Sequence, residues 1–188
     1  MFAPPRYKLT YAEYLAREAV STEKHEFING EAYAMAGGTL EHSALASSAM
    51  VALGAALAGR PCRAYNSDAR VRVLSTDASF YPDLSVVCGK VETAPADPHA
   101  ISNPLVLVEV LSDSTEANDR GAKAAHYRRI ESLREYVLVS QSERRVEVQR
   151  RNERGIWELH FFGEGERIEL TSLGVSMPVD ALYANPLG

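Results

Sequence analysis

Two carboxylates stand in stretches that otherwise read as buried β-strand. One is Asp83, in Tyr81-Pro82-Asp83-Leu84-Ser85-Val86-Val87; the other is Glu109, in Pro104-Leu105-Val106-Leu107-Val108-Glu109-Val110-Leu111-Ser112. An ionised carboxylate beside an apolar core is costly unless a cation or strong donors compensate it. Two of them on neighbouring strands make a seat for a hard divalent ion, Mg2+ or Mn2+. Such an ion takes oxygen ligands, needs only one or two protein carboxylates, and completes its shell with water and substrate phosphate. The chemistry this implies is metal-assisted hydrolysis of a phosphodiester. On its own, Asp83 reads as a turn residue after proline. Glu109 has four apolar residues before it and two after, and so requires a partner.

Asp119, Lys123 and Tyr127 are spaced four apart and share one face of a helix. In isolation Asp119 and Lys123 read as a solvent salt bridge. The helix follows the Glu109 strand through a short loop, however, and so packs near that strand's carboxyl end. Lys123 can then point a cation at the metal seat, stabilise a pentavalent phosphate and orient the attacking water. In that reading Asp119 and Tyr127 orient the lysine. Glu26 and Glu31 are further acids for the metal or water environment, although both also fit a solvated hairpin. His42, in the first turn of a helix, is a surface residue, a phosphate contact or a proton carrier. Ser112 and Ser114, with the free N–H groups of the helix they open, either hold a phosphate oxygen or simply cap. His25, His99, His126 and His160 fall into no constellation and read as structural.

The elements that must position these residues follow from periodicity and punctuation. Residues 8–15 form a short helix, with Thr10 as N-cap and Glu13 completing a capping box. Asn29-Gly30 between alternating residues signals a two-residue hairpin, which sets Ile28 opposite Glu31 and Glu26 opposite Tyr33. Glu26 and Glu31 therefore project from one face. Residues 41–57 read as an Ala- and Leu-rich buried helix stopped by Gly59-Arg60-Pro61, and 69–74 as a strand. A polar loop spans 89–104. A helix of about 115–131 begins at Ser114 or Thr115, and 136–139 is a buried strand. Residues 145–148 and 157–161 alternate like a β-meander, and 173–178 close the chain. The expected fold is α/β of the α+β kind: one domain over 1–188, a mixed sheet with helices on it, an N-terminal hairpin and a C-terminal meander.

Composition excludes some classes. The 188 residues carry a net charge of −5, which does not itself advertise a polyanion partner. Residues 120–154 nevertheless hold ten Lys/Arg against five Glu, a local +5 against −10 elsewhere. Such a segment is either a set of solvated faces or a surface for nucleic acid. No apolar run reaches the roughly 18 residues of a membrane span. Met1-Phe2-Ala3-Pro4-Pro5-Arg6 lacks the apolar core of a signal peptide, which points to the cytoplasm. Cys62 and Cys88, without metal-type spacing, read as reduced structural thiols.

Glu26-Phe27-Ile28-Asn29-Gly30-Glu31, His42, Tyr81-Pro82-Asp83, Val108-Glu109-Val110-Leu111-Ser112-Asp113-Ser114-Thr115, Asp119, Lys123, Tyr127 and Arg134-Glu135-Tyr136-Val137-Leu138-Val139 form an ordered set. Over roughly residues 8–185 that set resembles the Uma family of restriction-endonuclease-like proteins, within the PD-(D/E)XK nuclease superfamily. The resemblance implies a central four-stranded mixed sheet flanked by helices and Mg2+-dependent hydrolysis of DNA phosphodiesters. It also implies a site of Asp83, Glu109 and a lysine, with the Val110 carbonyl as a further metal ligand, and a homodimer that cleaves both strands. The superfamily places its lysine two residues after the second acid, where this chain has Leu111; Lys123 on the following helix is the matching cation. Two rival expectations stand beside this one. A catalytically inactive nuclease-fold module would bind nucleic acid or a protein partner without turnover. A hydrolase of a small phosphorylated molecule would suit the overall acidity.

Overall fold

The alternating apolar strands assemble into two six-stranded sheets and a small hairpin, described by a computed structural model over residues 8–35 and 37–184. The N-terminal stretch read for a signal peptide lies outside the described residues. In chain order the elements are α1 (Tyr11–Glu18), β1 (His25–Ile28), β2 (Glu31–Ala34), α2 (Leu40–Ala56), β3 (Cys62–Asn66), β4 (Arg70–Val73) and β5 (Ala78–Phe80). There follow β6 (Leu84–Cys88), β7 (Thr93–Ala94), β8 (Asp97–Ile101), β9 (Val106–Val110), α3 (Glu116–Asn118), a π turn at Asp119–Lys123 and α4 (Ala124–Tyr127). The chain ends with β10 (Glu135–Val139), β11 (Arg145–Arg151), β12 (Trp157–Gly163), β13 (Arg167–Leu170) and β14 (Val175–Pro178).

The central sheet runs β12-β11-β10-β9-β6-β3. Only β9 and β10 are parallel within it. Residues two apart on a strand share a face. Val106, Val108 and Val110 of β9 therefore meet Leu45, Ala49 and Leu53 of α2, in a core that also takes Ile168, Leu170 and Val179. Leu107 and Leu111 pack on the other face with Phe80, Tyr127 and Tyr136. Glu109 belongs by period to that second face. The second sheet, β2-β1-β5-β4-β8-β7, lies on this side and carries the expected N-terminal hairpin at its edge. That hairpin has the expected register, Ile28 opposite Glu31 and Glu26 opposite Tyr33. Asn29 and Gly30 both have positive φ, 47° and 90°, as a primed two-residue turn requires. The capping box at Thr10 and Glu13 is present.

Four expectations are corrected. The central sheet has six strands rather than four, and a second sheet lies beside the helix on one of its faces. Residues 89–104 are not all loop, since β8 pairs in parallel with β4 through Ala100 and Ile101. The polar Asp97, Pro98 and His99 mask that strand in the sequence. The helix of about 115–131 is confined to 116–127, and Thr115 caps it without a side-chain hydrogen bond. Cys62 and Cys88 are a disulfide rather than two thiols. The antiparallel register of β3 and β6 sets them opposite each other, with Cα atoms 3.9 Å apart, a relation that spacing along the chain cannot reveal.

One buried ion pair fastens α1 to the second sheet. Asp97 receives Arg70 Nε and Nη2 at 2.9 and 3.0 Å, and Tyr11 Oη at 2.9 Å. Burial alone would raise its pKa. Arg70, Tyr11 and the His99 amide outweigh burial and hold it below the usual carboxylate value. A depressed carboxylate stabilises the fold above its unfolded pKa of about 3.9 and loses that contribution as pH falls through its native value. Asp97→Ala is therefore expected to cost about 3 kcal/mol at neutral pH by urea unfolding, because it strands a buried guanidinium. The cost should shrink toward pH 3. An equal cost at both pH values would refute this account.

Candidate active site

Glu109 is the penultimate residue of β9 and is almost fully buried. Tyr127 Oη donates to its Oε1 at 2.9 Å, and Lys123 Nζ lies 3.3 Å from the same oxygen. Lys123 Nζ also stands 3.0 Å from Glu26 Oε1 and 3.1 Å from Asp119 Oδ1. Three elements thus meet on one ammonium: β1, β9 and the π turn. The π turn is held from the sheet side by Tyr136 Oη, which donates to the Asp119 carbonyl at 3.1 Å. Wide turns of this kind recur at functional sites because they re-aim side chains within a helix.

The charges do not balance. Glu26, Glu109 and Asp119 are three carboxylates around one lysine, and Asp83 stands near enough to act on Glu109. Burial, reinforced by Asp83, Asp119 and Glu26 and opposed by Lys123, pushes the Glu109 carboxyl up to about 8. Burial acts against the Lys123 ammonium, yet Glu109, Glu26 and Asp119 hold its proton far more tightly than usual. The lysine is a fixed cation, and Glu109 answers the remaining negative charge by holding its own proton up to about pH 8.

Asp83 immediately precedes β6. The antiparallel pairing of Leu84 with Val108 brings it level with the end of β9. Its Oδ2 accepts the Val110 N–H at 2.7 Å. His42 Nε2 is 3.2 Å from that same oxygen, and the ring also meets the Val110 carbonyl. The hydrogen bond to Asp83 raises the His42 pKa, with burial opposing. Thr39 caps α2 by accepting the His42 N–H, which fixes the first turn. Gly38 lies against the ring: a Cβ there would come within 3.0 Å of Nδ1. A cleft of about 980 Å³ opens beside His42 and Asp83, between α2 and β3, with Tyr65 and Asn66 on its wall.

The structure therefore brings together Asp83, Glu109, Lys123, Glu26, Tyr127 and the Val110 backbone, with His42 alongside. Tyr127 holds Glu109 directly, and meets Lys123 only through the Glu109 oxygen that both share. Glu31 accepts the Tyr33 hydroxyl at 2.6 Å, and the acids paired with Lys123 are Glu26, Glu109 and Asp119. The Ser112 hydroxyl bonds those of Ser114 and Thr115, at 3.1 and 2.9 Å, instead of capping a helix. Much of the basic segment is neutralised internally. Arg120 pairs with Glu116 and Glu147, Arg144 with Glu164, Arg145 with Glu143 and Arg150 with Glu135. Sequence reasoning missed the His42–Asp83 contact and the role of Gly38. Their only signal was a Gly37-Gly38 pair directly before a Thr-capped helix.

Among the described residues, no three His, Cys, Asp or Glu side chains already converge as a ligand set. Mg2+ or Mn2+ does not demand three, since one or two carboxylates with carbonyl and water oxygens suffice. The donor set of Asp83, Glu109 and the Val110 carbonyl, within an excess of negative charge, fits such an ion.

Comparison with known proteins gives a consistent picture. The sequence profile of the Uma2 family, described as "Putative restriction endonuclease", matches residues 11–180. An "Uncharacterized protein slr1290" of Synechocystis sp. is 36% identical over 182 residues, covering 95% of this chain and 93% of that protein. An "Uncharacterized protein sll1609" of the same organism is 34% identical over 168 residues, covering 89% and 95%. In fold, the chain is similar to the crystal structure of "a putative nuclease belonging to DUF820" from Anabaena variabilis. The TM-score is 0.71 at 20% identity, covering 93% of this chain and 97% of that one.

A carboxyl raised to about 8 in the native state against about 4.3 when unfolded binds an extra proton between those values. The stabilisation that proton brings is complete below the unfolded pKa and is lost as pH rises toward 8. In EDTA, wild-type stability should fall between pH 5 and 8 more steeply than that of Glu109→Gln. The difference should approach, at most, about 1.4 kcal/mol per pH unit. Parallel urea-stability curves for the two proteins would show that Glu109 titrates normally.

Proposed function

The chain belongs to the Uma2 family, and on that footing we propose that it is a divalent-metal-dependent endonuclease that hydrolyses DNA phosphodiester bonds. The observation that carries this reading is the surplus of carboxylates around Lys123 at the join of β6, β9 and the π turn. A buried surplus of negative charge is relieved either by protonation, as at Glu109, or by a further cation.

In this reading Asp83, Glu109 and the Val110 carbonyl hold Mg2+ or Mn2+. Such an ion would supply Lewis-acid polarisation of a phosphoryl oxygen and a bound water of lowered pKa. Lys123 keeps its proton, and so serves as a fixed charge and hydrogen donor rather than as a base. It stabilises the pentavalent phosphate and orients the water. Glu26 and Asp119 hold the ammonium, Tyr127 fixes Glu109, and Glu31 extends the acidic side along the hairpin. Ser112 and Ser114, just past Val110, would turn their hydroxyls from each other to a substrate phosphate. The cleft beside Asp83 admits the substrate. A homodimer would present two such clefts to the two strands of a duplex. No helix of the described residues is long and apolar enough to cross a membrane.

The test is cleavage of plasmid and oligonucleotide DNA with Mg2+, with Mn2+ and in EDTA. EDTA should abolish turnover. Asp83→Ala and Glu109→Ala should each lower it by at least about 100-fold, as loss of a metal or oxyanion contact does, with circular dichroism unchanged. Full activity in either variant rejects the assignment. Salt-dependent DNA binding without turnover in any metal would instead identify the inactive binding module.

A further inference from the structure

We infer that the outer edge of β12 is the contact through which two copies of this chain pair, antiparallel and centred on Leu159, into one continuous sheet. It supplies an interface for the homodimer proposed above and does not rest on the cleavage chemistry. β12 (Trp157–Gly163) is the last strand of the central sheet, and among the described residues no strand pairs with its outer edge. All seven of its residues pair with β11 in unbroken register, with no bulge, proline or lysine. A sheet edge without those devices is a template for pairing with another chain. The opposite edge, β3, is shorter, carries Arg63 and is tied back by the Cys62–Cys88 bond.

Asn152 donates to the Ile156 carbonyl at 2.8 Å, which closes the turn between β11 and β12. Hydrogen-bonded pairs recur at every second residue of an antiparallel ladder. Glu158, His160 and Phe162 therefore turn their peptide groups to β11, and Trp157, Leu159 and Phe161 turn theirs outward. Gly163, next in that phase, is closed off by Glu166, whose carboxylate accepts its N–H at 2.6 Å. The outward-turned residues also share one face of the sheet. Leu159 and Phe161 are each 55% exposed there. With Leu159 opposite the partner's Leu159, Trp157 meets the partner's Phe161 and Glu158 meets the partner's His160. Each of these last two contacts is made twice. Aromatic cross-strand pairs and an acid opposite an imidazole stabilise such a ladder. Recentring on His160 would set that residue against itself and Trp157 against the glycine already bonded. Arg128 and Arg145 flank the stripe, 5.8 and 5.9 Å from the Trp157 and Phe161 rings, but are engaged by Gln149 and Glu143. That favours a second apolar stripe over a phosphate backbone as the occupant.

Sedimentation velocity of the full chain, without metal or DNA, should show a dimer at micromolar concentration. Leu159→Lys sets two like charges together on the two-fold axis and should weaken association by about 10-fold or more. Trp157 is the single tryptophan, so its emission should shift to the blue as the wild type associates and stay unshifted in that variant. Leu159→Cys should give a covalent dimer on oxidation, because directly paired Cα atoms stand about 5.5 Å apart. Glu158→Cys, which faces the partner's His160, should not. A monomeric wild type overturns the inference, and so does a dimer that withstands Leu159→Lys without cross-linking through Leu159→Cys. Quenching of Trp157 by single-stranded DNA in a monomeric chain would give this face to nucleic acid and equally overturn it. Association is read without cleavage, so failure of this interface and failure of the endonuclease reading show separately.

Discussion

The contact of Lys123 with Glu26, Glu109 and Asp119 is the constraint on which the rest of the site depends. It joins the first strand of the second sheet, the middle of the central sheet and a wide helical turn in one place. Each partner would be costly to bury alone. Together they fix where the hairpin lands, how far the helix advances along β9, and which oxygen of Glu109 stays engaged. Phe80, 6.0 Å from the ammonium, and Tyr136, under the π turn, supply the apolar walls that make the pairing strong.

That arrangement brings the cation to Glu109 from another element rather than from its own strand. Leu111 shares the Glu109 face of β9 and is buried among Phe80, Tyr127 and Leu138. A methylene-rich side chain completes the core there, while the charge arrives from a different element. Glu109 stays on its strand and takes its positive charge through tertiary packing.

The parts of the fold that rest on local rules were legible in the sequence. Asn29-Gly30 set the hairpin register, Thr10 and Glu13 set the first helix, and the run around Glu109 announced a buried strand with a misplaced charge. The parts that depend on register between distant segments were not. The Cys62–Cys88 bond needs the pairing of β3 with β6, and β8 is a strand only because β4 and the Arg70–Asp97 pair recruit it. Spacing by four correctly put Asp119 on Lys123. Tyr127, one α-helical turn further on, reaches the lysine only through the Glu109 oxygen they share, a contact supplied by β9 that helix spacing does not show. His42 was visible as a helix-start histidine, but its partner lies 41 residues away on another element.

The wide turn has an angular consequence. Each residue of an α-helix advances about 100° around the axis, and a π turn inserts one residue without lengthening the contact surface. The surplus residue between 119 and 123 acts as a phase shifter. Within it Arg120 pairs with Glu116 and with the buried Glu147 of β11, and downstream Tyr127 reaches Glu109 of β9. A chain one residue shorter here would keep its helix and its composition, yet would dial a different set of side chains toward the sheet.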